Sequence, residues 1–247
     1  MLPARLRSAT LLCLLAVSSA PAQAGDVPNI YRGIYQAALP LNEATAITAA
    51  AGLVRAPAFD QWSLIGVPAG VEHKFNDWLS VQSYLMLNHD ILSRRPDKLE
   101  VRPVLGITAK HEVTPNLEIG AWLRYEARFQ DVTGRSTFQN RLRLRPYVEY
   151  QFGDTPGKPG TVRAKLEVEP KYIIDDRFNY LNAVMPRLSL GYVVSPTLSF
   201  DVRVSREWGR ATPGAKWRPT QDMVTLHIVQ VLGVEHAKAR RLAEIDD

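Results

Sequence analysis

Hydrophobic and polar positions alternate over long stretches of this chain, most clearly across residues 138–152, Phe-Gln-Asn-Arg-Leu-Arg-Leu-Arg-Pro-Tyr-Val-Glu-Tyr-Gln-Phe. Arg141, Arg143, Arg145, Glu149 and Gln151 share one parity, and Leu142, Leu144, Val148, Tyr150 and Phe152 share the other. A strand sends successive side chains to opposite faces, so one face is charged and the other apolar. Residues 117–130 repeat the pattern. Leu117, Ile119, Leu123, Tyr125 and Phe129 oppose Glu118, Arg124, Glu126, Arg128 and Gln130. Residues 162–174 and 198–208 do the same, with Arg163, Lys165, Glu167, Glu169 and Lys171 on the polar parity of the first and Asp201 and Arg203 on that of the second. Strands 99–111 and 182–194 add Arg102, Lys110 and Arg187.

Turn signals recur at steps close to forty residues: Asn76-Asp77, Thr114-Pro115-Asn116, Gly153–Gly157 and Ser195-Pro196-Thr197. Proline, Asn, Asp and Ser suit such turns. More polar breaks lie between them, near 93–98, 131–137, 175–179 and 209–221. Each period is therefore strand, loop, strand, turn. Ten strands follow, near 44–55, 61–75, 78–89, 99–111, 117–130, 138–152, 162–174, 182–194, 198–208 and 221–233. They are longer than the strands of a propeller blade, the other architecture with a period near forty. The expected fold is all-β, an antiparallel up-and-down transmembrane barrel of about ten strands, twelve being possible. An even count puts both termini at the short-turn end.

The strands are long enough to cross a bilayer with tilt. An apolar face against lipid then leaves the charges for the lumen. A soluble lipocalin-like barrel with apolar residues inside has the same parity, so alternation alone leaves the two inversions open. Phe75, Phe152, Tyr192 and Phe200 near the short turns, with Tyr125, Phe129 and Tyr172 toward the loops, suit the two aromatic girdles of a membrane barrel.

Composition sharpens this picture at the ends of the chain. Arg5 and Arg7, the apolar run 11–17 and Ala22-Gln23-Ala24 form a secretory signal peptide over residues 1–24. Residues 25–43 are an N-terminal lead-in, within which Gly25–Asn42 is an ordered plug, an extra strand or loose chain; 44–233 are the barrel and 234–247 a periplasmic tail. The single cysteine, Cys13, lies in the signal peptide, so the exported chain has no disulfide or thiolate chemistry. Removing Arg5 and Arg7 from the 30 basic residues leaves 28 against 25 acidic ones, a net of +3 in place of +5. Despite a pI near 9.4 there is no clustered basic tail, and no nucleic-acid partner is expected.

On strands 99–205 the polar parity carries twelve basic residues against seven acidic ones. The candidate solute-binding residues are Arg102, Arg124, Arg128, Arg141, Arg143, Arg145, Arg163, Lys165 and Arg203. Guanidinium forks suit carboxylates and phosphates. The expected role is passive passage of small anionic solutes across the outer membrane, with outer-membrane lipid as the surrounding partner. In a narrow barrel the same arginines can instead pair with Glu126, Glu149, Glu167 and Glu169 and fill it, which gives a non-conducting structural barrel. A barrel enzyme acting on lipid is a third reading. Among His73, His89, His111, His227 and His236 only His89-Asp90 is suggestive, and no Gly-x-Ser-x-Gly element is present. No metal-ligand spacing occurs, and no cofactor or catalytic residue is expected.

Val101-Arg102-Pro103-Val104-Leu105-Gly106, Val113-Thr114-Pro115-Asn116-Leu117, Trp122–Phe129 and Leu144-Arg145-Pro146-Tyr147 resemble the oligogalacturonate-specific porins over roughly residues 99–208. That resemblance implies a small monomeric outer-membrane barrel with arginine tracks for acidic oligosaccharides. Asp60-Gln61-Trp62 before the first firm strand also resembles small exported barrel proteins of no assigned function. Two features depart from the porins: ten strands in place of twelve, and a last strand that ends near Gly233 with residues 234–247 beyond it in place of a terminal aromatic.

Overall fold

The computed structural model describes residues 27–92, 97–153, 157–174 and 179–233. Residues 1–24, expected to be a signal peptide, the expected tail 234–247 and His236 lie outside them. Eleven strands follow one another: β1 Asn29–Pro40, β2 Thr45–Ala56, β3 Gln61–Lys74, β4 Leu79–Leu92, β5 Lys98–Thr114, β6 Leu117–Val132, β7 Arg135–Phe152, β8 Val162–Ile174, β9 Asn179–Ser195, β10 Leu198–Gly209 and β11 Arg218–Val231. Each pairs antiparallel with its neighbour in sequence, and β1 closes the barrel against β11. The ten strands expected from the sequence are β2 to β11, with ends displaced by at most four residues.

The eleventh strand is β1, which lies in the segment read as a lead-in, so the barrel starts at Asn29 rather than at 44. It corrects the count and the closure. With an odd number of strands the first and last run the same way, and β1 pairs parallel to β11 from Asn29↔Asp222 to Ala38↔Val231. Asn29 therefore stands at the loop end and Val231 at the short-turn end, not together as an even count required.

The short turns owe their geometry to the residues that signalled them. Asn76 Oδ1 accepts from the backbone N–H groups of Trp78 and Leu79 at 3.0 and 2.9 Å. Thr114 Oγ1 does the same for Asn116 and Leu117. Asn42 Oδ1 repeats it for Ala44 and Thr45 between β1 and β2. The break expected near 131–137 is instead a two-residue turn, Val132 pairing with Arg135. Thr133 and Gly134 both have positive φ, 52° and 75°, the backbone of the favoured tight hairpin.

Closure decides which face is inside. Leu105, Leu123, Phe129, Leu144, Tyr150, Leu166, Leu188 and Leu190 are exposed on the outer wall, while Glu100, Arg124, Glu126, Arg145, Glu167 and Glu169 are buried in the interior. The lipocalin-like inversion is therefore excluded. Phe75, Phe152, Tyr125, Phe129 and Tyr172 are exposed on the outer wall near its two ends, joined by Trp62 and Trp208 at the loop end and Trp78 at the turn end. The inner wall is not uniform. Along β2 to β5 it carries an apolar cluster of Val67, Tyr84, Met86 and Val104, and along β1 and β11 a second of Ala38, Val229 and Val231. The charges line the rest.

Candidate functional site

All nine candidate residues sit on inward positions of β5 to β8 and β10. Their side chains are between 0 and 16% exposed. They gather around a few carboxylates. At the loop end Glu100 holds two arginines: Arg128 is bidentate, Nε and Nη2 donating at 2.7 and 3.0 Å, and Arg102 Nη2 donates at 2.6 Å. At mid-height Glu126 accepts from Arg141 Nε at 2.7 Å and Arg143 Nη1 at 3.0 Å, and forms an ion pair with Arg124, whose Nε lies 2.6 Å away. Glu169 accepts from Arg143 Nε at 2.7 Å and Arg145 Nε at 2.6 Å. Toward the short turns Arg163 reaches Asp201 at 3.0 Å, with Arg203 3.9 Å from the same carboxylate, and Lys165 lies 3.5 Å from Glu167 and 4.2 Å from the Tyr147 ring centre.

The local reason is the cross-strand register. Glu126↔Arg141 and Arg124↔Arg143 are direct pairs between β6 and β7, and Arg143↔Lys171 is one between β7 and β8. Directly opposed like charges are destabilising. A carboxylate diagonal to each, Glu126 in one case and Glu169 in the other, lets one acid bridge two or three bases.

Some pairs span a whole strand. Asp201 on β10 meets Arg163 on β8 across β9, over Gly191. A Cβ at Gly191 would stand 2.1 Å from Asp201 Oδ1 and 3.0 Å from Arg163 Nε. On β5, a Cβ at Gly106 would stand 2.7 Å from Trp122 Nε1 and 2.8 Å from Gln82 Cγ. Both glycines face inward where their neighbours carry large polar groups. They are windows through which flanking strands touch.

Beside Gly106, inward side chains of β4, β6 and β7 pack against one another into a septum on that side of the interior. Trp122 is stacked by the guanidinium groups of Arg124 and Arg145, each 4.6 Å from the ring centre, within cation–π range. Arg124 Nη1 donates to the Tyr84 hydroxyl at 2.9 Å. Trp122, Tyr84, Arg124 and Arg145 are all at most 5% exposed. On the turn side lies a cavity of about 80 Å³ lined by Lys110, Glu118, Trp122, Arg145 and Lys165. On the loop side a larger one, about 280 Å³, is lined by Arg102, Arg141, Arg143, Lys171, Arg187 and several apolar side chains.

Sequence reasoning set Lys171 and Arg187 on the right face without naming them as site residues. It placed Trp122 on that face as well, again not as a site residue, and missed Tyr84 and the two glycines. A glycine on the charged parity of an otherwise alternating strand is the signal that could have found the windows. Nothing in the alternation marks the septum, because it depends on which strands face each other.

The histidines resolve separately. His89 and Asp90 take opposite faces: His89 lies 3.4 Å from Asp97 outside, while Asp90 accepts from Ser63 at 2.6 Å and Asn88 at 2.9 Å inside. They cannot act as a pair. His227 is 1% exposed and joins three strands, with Nδ1 2.6 Å from Arg203 Nη2 and Nε2 3.0 Å from Gln36 Oε1.

No family model and no curated protein matches the sequence, so no matching family stands behind the resemblance to oligogalacturonate porins. Among solved structures, the NanC porin in a rhombohedral crystal form is similar at 13% identity and a TM-score of 0.39, over 79% of this chain and 94% of that one. A likeness that slight leaves the architecture to rest on the chain's own register: a closed eleven-stranded barrel, charged within and apolar without.

Proposed function

We propose that this chain spans the outer membrane as a passive channel for small anionic solutes, with the septum at Tyr84, Trp122, Arg124 and Arg145 as its narrowest level. The observation that carries the reading is the inversion of the wall. A closed barrel that turns Leu144, Leu166 and Leu188 outward and Arg124, Arg143 and Arg145 inward has the surface lipid requires and an interior suited to water and ions. Exposed apolar patches of that extent are foreign to a soluble monomer. The interior bases exceed the acids they pair with, which favours anions over cations. Basic groups in series along the wall, from Arg102 through Arg141 and Arg143 to Arg163, allow an anion to pass between weak sites without being trapped.

The septum favours a second reading, a barrel closed at mid-height that serves the membrane structurally. Ion flow through the purified barrel in planar bilayers separates the two. A channel gives discrete conductance steps and an anion-selective reversal potential. A barrel silent at every voltage leaves only the structural role. If selectivity persists when Arg141, Arg143 and Arg145 are all replaced by Ala, those residues do not set it. Acidic sugars, as implied by the sequence resemblance, are one solute class to offer.

A further inference from the structure

The loop-side chamber has a mixed lining. Arg32, Arg102, Arg141, Arg143, Lys171 and Arg187 present positive charge to it, against Asp90 and Glu207 among the described residues. The carboxylates that balance the arginines at mid-height, Glu126 and Glu169, are 0 and 1% exposed and stand behind the guanidinium groups rather than on the chamber wall. Apolar side chains line it as well: Ile30, Val54, Ile65 and Met86 on β1 to β4, Met185 on β9 and Met223 on β11. Of the four methionines in the sequence one is Met1; the other three all line this chamber. Methionine is the side chain that adapts most readily to an irregular apolar ligand.

A path built only for sugars or inorganic ions has no use for six apolar side chains in its wider half. We propose that the loop-side chamber is a binding site for an amphipathic anion, a carboxylate or phosphate head on a short apolar body. The head lies against Arg102, Arg141 and Lys171, and the body against the three methionines and Ile65. At ~30 Å³ for each water-sized group, a chamber of about 280 Å³ holds roughly nine, close to the about ten non-hydrogen atoms of octanoate. The site refines the anion-channel reading by naming a solute class, but it does not require conduction.

The test uses the full barrel in lipid nanodiscs with ¹³C-methyl-labelled methionine. Met86, Met185 and Met223 face the interior, so a probe that merely partitions into lipid does not shift them. Octanoate is expected to shift all three methyl resonances saturably, and to bind about tenfold or more tightly than galacturonate, an anion without an apolar body, or octan-1-ol, an apolar body without charge. Along butyrate, hexanoate and octanoate the affinity rises about fourfold per methylene if each is fully buried. Arg141→Gln weakens octanoate binding, Arg141→Lys restores most of it, and Met223→Gln weakens octanoate but not galacturonate. The proposal is overturned by galacturonate or octan-1-ol binding as well as octanoate, by affinity flat in chain length, or by no saturable shift at millimolar probe. The unmodified protein alone decides the matter should a variant fail to fold. Octanoate binding without conductance overturns the channel reading only; conductance without binding overturns this one only.

Discussion

Arg124 donates a hydrogen bond of 2.9 Å to the Tyr84 hydroxyl across the inner surface of β5, from β6 to β4. Beside it β5 carries Gly106, where a Cβ would stand 2.7 Å from Trp122 and 2.8 Å from Gln82. The contact makes the septum a tie between the apolar and charged halves of the inner wall. Replacing Arg124 and Tyr84 together by Ala removes the tie, while Glu126 keeps Arg141 and Arg143 as partners. The double variant is expected to raise single-channel conductance severalfold in planar bilayers without loss of folded barrel. Unchanged conductance would place the narrowest level elsewhere.

Glu126 and Arg141 are not equivalent members of their pair. Glu126 accepts from Arg141 and Arg143 and forms an ion pair with Arg124, so Glu126→Gln leaves several buried cations short of a partner. Breaking a buried network from its shared side costs about 3 kcal/mol. Arg141→Gln leaves Glu126 with Arg143 as donor and Arg124 beside it, and is expected to cost about 1.5 kcal/mol. Urea midpoints of the refolded barrel, read by gel mobility with and without heating, should show this asymmetry.

Gly191 is the point where β9 is thin enough for Arg163 and Asp201 to meet. A valine there would drive Cβ into Asp201 Oδ1 and force the pair apart. Overpacking of this kind costs roughly 1–3 kcal/mol, and the same urea titration measures it. Gly214, with nothing within 4 Å of the Cβ position, is the matched control and should tolerate Ala with little change.

Leu144 stands near the middle of β7, 43% exposed on the outer wall. In a bilayer, Leu144→Arg costs about 2–4 kcal/mol at the midplane. On a water-facing surface the same change would fall within about 0.5 kcal/mol of neutral. Loss of the heat-modifiable band from the membrane fraction, with no loss for a conservative Leu144→Val, is the outcome that supports a lipid-facing wall.

Much of this protein is legible in the chain itself. Side-chain alternation is a local property of the backbone, so strands β2 to β11 can be read from residues such as Leu142, Arg143, Leu144 and Arg145 without knowledge of any neighbour. Turn chemistry is local too, and Asn76, Thr114 and Ser195 mark the short turns by the backbone N–H groups they accept. β1 escaped because its inward residues Ile30, Ile34 and Ala38 are as apolar as its outward Tyr31, Tyr35 and Leu39, so no parity stands out. Only its Asn42 turn, the twin of the Asn76 turn, marked it. The remaining decisions belong to closure. The same parity serves a barrel of either inversion, and hydrogen bonding of β1 to β11 settled the strand number, the direction of the seam and which face turned inward. Whether Arg124 meets Tyr84, whether Asp201 reaches Arg163 over Gly191, and whether three scattered methionines share one chamber all depend on curvature and stagger around the ring. Those quantities are set by pairings between residues far apart in sequence, which no single strand encodes.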